Sequence, residues 1–248
     1  MKHDIYLSAS TQQDNKGVLN YGTEEDQMFK LRDEVERLIK NGNHSQDFVV
    51  YKNSNKNSSL SDIVNASNRA NVDTHWAFHT NAGEPRARGC ETYFHNHSTG
   101  GGKKMADIWY KKISAVTPTV DRGSKSDYTL YSKGLYELRE TKAHAALSEF
   151  VFHTNSEDVK FFLANIKRFA IATVQAIHEY YGLTYKEKEE TKVAYTGILK
   201  EAFDKGWITK SGYKEKDNVN YEKLCYILRN FENYLDKKID SADKKYEV

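Results

Sequence analysis

The sequence predicts an α/β domain: a largely parallel, mixed twisted sheet with helices on both faces, followed by a small all-α C-terminal module. Three observations carry this expectation. Short apolar or alternating runs recur between stretches of helical periodicity, the pattern of a sheet covered on both faces. The clearest run, "DTHWAFHTNAG" from Asp73 to Gly83, alternates so that His75, Ala77 and His79 point one way and Trp76 and Phe78 the other. After Gly182 the composition shifts to "TYKEKEETK", which carries charge but no large core stripe.

The elements follow in order. Residues 5–9, "IYLSA", read as a short strand. A helix opens on Thr23 as N-cap with Asp26 three residues on, a capping-box-like pair, and stops at Gly42. Met28, Leu31, Val35, Leu38 and Ile39 give it a core-facing stripe. "DFVVY" (47–51) is a buried strand, a polar loop of Asn and Ser fills 52–59, and a helix covers 60–70. The alternating run supplies a strand over 72–79, and "CETYF" (90–94) another. "TGGGKK" turns into a helix near 103–116, and "GLYEL" and "AALSEFVF" read as two more strands. Asn155 or Ser156 caps a long helix whose Phe161, Phe162, Ile166, Phe169, Thr173, Val174 and Ile177 form one stripe. A boundary near 183–190 separates a first domain, 1–183, from a helix–turn–helix module, 190–248.

Composition narrows the function. The chain has 248 residues, long enough to bury a core, and its 37 Lys+Arg against 35 Asp+Glu leave no basic footprint for a nucleic-acid partner. Two cysteines, Cys90 and Cys225, lie far apart without a partner motif, so neither a disulfide scaffold nor a thiolate zinc cluster is expected. "MKHDIYLSAS" has no apolar core of a signal peptide, and no run of about 18 apolar residues occurs, so no membrane span is expected. The expected product is a soluble chain made in the cytoplasm. Seventeen tyrosines suit a carbohydrate surface, because the ring packs while the hydroxyl bonds; a tyrosine-rich composition with no such role is as good an explanation.

Three positions could carry chemistry. Histidines four apart on a strand have Cα atoms about 13 Å apart, at roughly 3.3 Å per residue. His75 and His79 therefore do not share one metal ion, whose bonds to nitrogen span only about 2 Å. His79 is better placed as a ligand because it ends its strand, where open α/β sheets form their clefts. Deeper in the strand, His75 fits a core or supporting role. Glu149 sits in the apolar run "AALSEFVF", where a carboxylate is costly unless paired or functional; acid/base work and a salt bridge to Arg139 explain it about equally. Leu147 and Val151 are expected on its face. Glu24 and Glu25 open the first helix, where complementing the macrodipole explains them without any metal.

Taken together and in order, "IYLSAS", "YGTEEDQMF", "DTHWAFHTNAG", "GCETYF", "DRGSK" and "LYELRETKAHAALSEFVFHTNSED" resemble the type-3 family of zinc-dependent N-acetylmuramoyl-L-alanine amidases, which includes many phage endolysins and bacterial autolysins. The resemblance spans roughly residues 4–180; its most specific parts are His79-Thr80-Asn81-Ala82 and the segment around Glu149. It implies a peptidoglycan hydrolase with zinc as cofactor, His79 and Glu25 as metal ligands, and Glu149 as catalytic base and acid. It further implies substrate contacts from Asn81, Arg122 and Arg139, with the loops at 52–59 and 83–88 lining a groove. The family's first zinc-binding histidine is missing: Ser10 and Thr11 stand where its glycine and histidine would be. The third ligand is thus open among Thr11, Gln12 and His75, with Gln13, His95 and His97 as further positions. Without a signal peptide, the enzyme would reach the wall after synthesis through a holin-type pore or on lysis. The C-terminal helices would bind wall, with Trp207, Tyr213 and Tyr221 stacking on sugars, or form a small core or homodimer interface from Trp207, Ile208, Leu224, Ile227 and Leu228. The missing histidine also raises a rival function, a catalytically silent wall-binding protein on the same fold.

Overall fold

The computed structural model describes residues 2–96 and 101–187. The chain separates into two units, Met1–Lys188 and Glu189–Val248, and the fold that follows is that of the first. The helical module expected over 190–248, the wall or dimer contact expected from it, and His97 lie outside the described residues.

Strand β1 (His3–Ala9) leads through a long loop to helix α1 (Glu24–Asn41), where the Thr23 side chain caps the amide of Asp26 at 3.1 Å. Strand β2 (Phe48–Lys52) and helix α2 (Leu60–Ala70) follow; Ser59 and Asp62 close a reciprocal capping box at the start of α2. Next come β3 (Thr74–Asn81), β4 (Cys90–Phe94), helix α3 (Gly101–Ser114) and β5 (Asp121–Ser126). A short helix α4 (Tyr136–Glu140), strand β6 (His144–Phe152) and helices α5 (Ser156–Ala164) and α6 (Ile166–Tyr180) complete the unit.

The sheet runs β2-β1-β3-β6-β4-β5, parallel throughout except where β4 meets β6. This is the expected mixed, largely parallel sheet. Its two faces differ sharply. On one, Trp76 and Phe78 of β3 enter the large core with Met28 and Leu31 of α1, Trp109 of α3 and Phe169 and Val174 of α6. On the other, Ala77 and Leu147 meet Leu138 of α4 in a small cluster, and Tyr6 meets Ile63 of α2 in another. The alternation in β3 thus sends its aromatics to the thick side and its two histidines to the thin side.

Three expectations about elements give way. "GLYEL" is not a strand: Leu135 and Leu138, three apart, pack the same cluster, so the segment turns as α4. Asp121–Ser126 is an added edge strand, its charged and Gly-containing sequence suited to an edge. The long C-terminal helix breaks at Asn165, which ends α5 and starts α6. A bulge also alters β6: His79 faces Glu149 but Asn81 faces Phe152, so two residues on β3 oppose three on β6. Val151 is thereby turned into the large core while Leu147 stays on the thin side, and the two do not share the Glu149 face.

Candidate active site

The thin face opens at the C-terminal end of β3 into a cleft of about 290 Å³. Gln12, Glu24, His79, Glu137 and Glu149 line its polar part, while Leu60 on one side and Leu130, Tyr131 and Tyr136 on the other line its mouth. Those four apolar residues are exposed.

Each polar group has a structural reason for its place. His79 and Glu149 are register partners on adjacent parallel strands. Glu24 is the first residue of α1, held there by the Thr23 cap. Glu137 enters from α4, whose position depends on the preceding turn. There Asp127 accepts from the Leu135 amide at 2.7 Å and pairs with His95 at 2.9 Å. Gly134 closes that turn at φ +68°, where an added Cβ would come 2.4 Å from the Asp127 carboxylate, so only glycine fits.

The side chains form one hydrogen-bonded line. Glu24 Oε1 lies 2.9 Å from His79 Nδ1, and Glu137 Oε2 lies 3.2 Å from His79 Nε2. Glu137 Oε1 meets His75 Nε2 at 2.9 Å and also accepts from Ser8 Oγ. His75 Nδ1 is satisfied by Ser67 Oγ at 2.9 Å, and its ring stacks on Tyr6 with centroids 5.1 Å apart. At the other end, Asn15 Nδ2 donates to Glu24 Oε2 and to Gln12 Oε1, both at 2.7 Å, and the Gln12 amide nitrogen lies 3.4 Å from His79 Nδ1.

The electrostatics follow from burial and neighbours. Burial alone would keep the His79 ring neutral, but the flanking Glu137 and Glu24 raise its pKa well above the ordinary value. Burial likewise opposes the charge on Glu137, yet its bonds to His75 and His79 hold it well below the usual carboxylate range. Glu24 is lowered against its own burial by His79, Asn15 and Ser10. Glu149 goes the other way. Its burial, reinforced by the negative charges of Glu24 and Glu91, outweighs His79 and raises it to about 8. Its Oε2 is buried without a hydrogen-bond partner.

The donor set bears on whether a zinc ion suits this cleft. An imidazole nitrogen and a carboxylate oxygen stand side by side, both ordinary zinc ligands. The back nitrogen of the same ring rests on a second carboxylate, as metal-ligating histidines usually do. These features fit a metal at the Nδ1 side of His79. Among the described residues no set of three His, Cys, Asp or Glu groups is arranged to hold a metal ion, so a third protein donor, if the ion has one, is of another kind. Of the three positions open for it, Gln12 lines the cleft, but its Oε1 accepts from Asn15 and its amide nitrogen is the atom near His79. Thr11 Oγ1 is bonded to the Ser58 carbonyl at 3.0 Å, and His75 has both nitrogens engaged.

The structure distributes the remaining expected residues unevenly. It brings Glu24, not Glu25, to His79; Glu25 does not line the cleft and lies 3.8 Å from Lys56 Nζ. Successive helical residues are turned about 100° apart, so one of the pair at most can face the sheet. Asn81 lines the cleft and donates to Glu91 at 2.6 Å. Arg122 lies 3.4 Å from the same carboxylate and over the Phe152 ring, with Lys125 at 2.6 Å on its other oxygen. Glu91 is in turn the register partner of Glu149 across β4 and β6. Arg139 pairs with Glu140 at 2.7 Å and not with Glu149, so that salt bridge does not form. The loops at 52–59 and 83–88 give the cleft no lining residue; the 130–136 segment does. Glu137 has no counterpart in the sequence reading. The helical spacing of Leu135 and Leu138, which would have turned it inward, was its signal.

Comparison with known proteins agrees with this architecture. The family model described as N-acetylmuramoyl-L-alanine amidase matches residues 5–179. An N-acetylmuramoyl-L-alanine amidase from Clostridium difficile 630 superposes with TM-score 0.64 at 21% identity, covering 73% of this chain and 97% of that one. The catalytic domain of CwlV, an amidase of the same name from Bacillus (Paenibacillus) polymyxa var. colistinus, gives 0.63 at 21%, covering 74% and 100%. The catalytic domain of the CD27L endolysin targeting Clostridia difficile gives 0.55 at 20%, covering 71% and 96%. At these identities the likeness is one of fold. No curated protein matches the chain.

Proposed function

We infer the function from one premise: this chain belongs to the N-acetylmuramoyl-L-alanine amidase family. Membership makes it an amidase-type hydrolase of the peptidoglycan stem peptide. The finer reading is that it cleaves the amide between the lactyl group of N-acetylmuramic acid and L-alanine, with zinc as cofactor. The observation that carries it is the convergence of His79, Glu24 and Glu149 in one cleft, with a buried Glu149 oxygen left unpartnered.

In this reading His79 Nδ1 and Glu24 hold the ion, in place of the His79 and Glu25 pair drawn from the resemblance, and Gln12 would add a third, weaker donor by turning its amide oxygen from Asn15 toward the ion. Bound there, zinc would supply Lewis acidity at the scissile carbonyl and lower the pKa of the attacking water. The chain's own groups do the rest. Glu149 takes the proton from the attacking water and returns it to the departing amine nitrogen of L-alanine, which leaves with its electron pair. Its burial favours both transfers, because a carboxyl poised near neutrality can accept and release a proton at little cost. Tyr131 and Tyr136 give sugar rings an aromatic wall, and Asn81 with the Arg122–Lys125 pair frames the peptide side through Glu91.

Metal analysis of protein purified without added zinc, combined with turbidity loss of cell walls with and without chelator, tests the reading. Stoichiometric zinc and chelator-sensitive lysis are expected. Wall binding with neither zinc nor lysis would instead favour a silent binding protein on this fold, the function that Thr11 in place of the family's histidine would suit.

A further inference from the structure

We propose that Glu137 is a positioning residue that holds the His79 ring by its Nε2 edge, so that Nδ1 faces Glu24 and the cleft. The inference rests on the zinc reading above and adds to it a group from α4.

The geometry is specific. Glu137 is buried and both its oxygens are engaged: Oε2 by His79 Nε2 at 3.2 Å, and Oε1 by His75 Nε2 at 2.9 Å and by Ser8 Oγ. Its partners come from two neighbouring strands, β1 and β3. The carboxylate is therefore clamped at one oxygen and free to direct only the other. His75 is clamped in turn by Ser67 Oγ and by its stack on Tyr6. The two strand histidines are too far apart to share an ion, and the structure fills the interval with a carboxylate that touches both.

A histidine that binds a metal through one nitrogen gains basicity and a fixed tautomer when the other N–H meets a carboxylate. Glu137 Oε2 stands where His79 needs that partner. A buried carboxylate on a flexible loop would do this poorly. Here α4 is fixed by the Asp127–Leu135 bond before it and by the Thr141 Oγ1 to Glu137 carbonyl bond within it. Ser8, His75 and Ser67 thus serve one end: orienting Glu137, which orients His79.

The test uses the full chain with Glu137→Gln, which keeps a weaker neutral acceptor, and Glu137→Leu, which keeps none. Zinc affinity is measured by competition with a chromophoric chelator, alongside kcat and KM on purified peptidoglycan. Zinc binding is expected to weaken on the order of 10–100-fold in the Leu variant, the usual effect of removing such a partner, and less in the Gln variant. At saturating zinc, kcat should fall while KM stays, because Glu137 supports the metal ligand rather than the substrate. Wild-type binding with both variants within twofold of it would overturn the positioning role and leave Glu137 a structural ion-pair partner. Absence of zinc binding by the wild type would overturn the metal reading and this inference with it. Should the Leu variant fail to fold, ¹⁵N spectra of His79 in wild-type protein decide the question. Zinc should perturb Nδ1 and leave Nε2 protonated; coordination at Nε2 would refute the proposal.

Discussion

His79 and Glu149 lie directly opposite each other on the parallel strands β3 and β6, one residue before the bulge that breaks their register. That pairing places the half-buried Glu149 side chain beside the imidazole, with its Oε2 buried and unpartnered. Replacing Glu149 with Gln keeps the shape and removes the titratable carboxyl. Wall lysis by Glu149→Gln is expected to fall on the order of 10²–10⁴-fold with zinc content unchanged. Activity within a few-fold of wild type would remove Glu149 from the mechanism.

The same carboxyl makes stability depend on pH. Its folded pKa, raised to about 8 by burial first and by Glu24 and Glu91 after it, exceeds the unfolded value. Between the ordinary glutamate value of about 4.3 and about 8 the native state holds the extra proton. Zinc-free protein therefore has the full contribution below that window and loses it as pH rises through it. Thermal unfolding followed from pH 5 to 9 should show the melting temperature of wild type falling relative to Glu149→Gln. Parallel curves would contradict the burial argument.

Glu24 and Glu25 are neighbours in sequence but not in surroundings: Glu24 meets His79, and Glu25 lies near Lys56. Glu24→Gln should weaken zinc affinity by more than the roughly 10–100-fold that losing an outer partner costs, while Glu25→Gln should leave it within a few-fold. A chelator competition on both variants checks this, and the reverse order would restore Glu25 as the ligand.

How much of this was legible in the sequence depends on what each segment interacts with. The alternation in "DTHWAFHTN" reports the two faces of β3 because a central strand meets different surroundings on each side; Trp76 and Phe78 find the thick core as expected. The cap at Thr23 and the stop at Gly42 are local and could be read locally. Glu137 was marked only by the spacing of Leu135 and Leu138, a weak signal, because α4 is five residues long and its few residues suit a strand as well as a turn of helix. The choice between Glu24 and Glu25 depended on the rotation of α1 against the sheet, a tertiary fact. The bulge in β6 was equally invisible, and with it the parting of Leu147 from Val151.

Exposed aromatics at the cleft mouth should act on binding rather than chemistry. Tyr131→Ala is expected to raise KM for polymeric peptidoglycan by about two- to ten-fold, the size of a lost ring contact, with kcat preserved. An equal fall in kcat would move Tyr131 into the catalytic apparatus.

Asn155 ties two features together: its side chain caps Glu157 and Asp158 at the start of α5 and donates to the Pro85 carbonyl at 2.7 Å. Asn155→Ala should lower stability by about 0.5–2 kcal/mol, read by denaturant unfolding. No measurable change would show that the cap and the loop contact contribute nothing.

The most direct measurement is the chemistry of the products. Purified peptidoglycan treated with the zinc-loaded wild-type chain should yield new free α-amino groups on L-alanine, with no new reducing sugar ends, and Glu149→Gln should yield neither. Reducing ends without free L-alanine amines, or no new ends of either kind from the wild type, would contradict an amidase built on His79, Glu24 and Glu149.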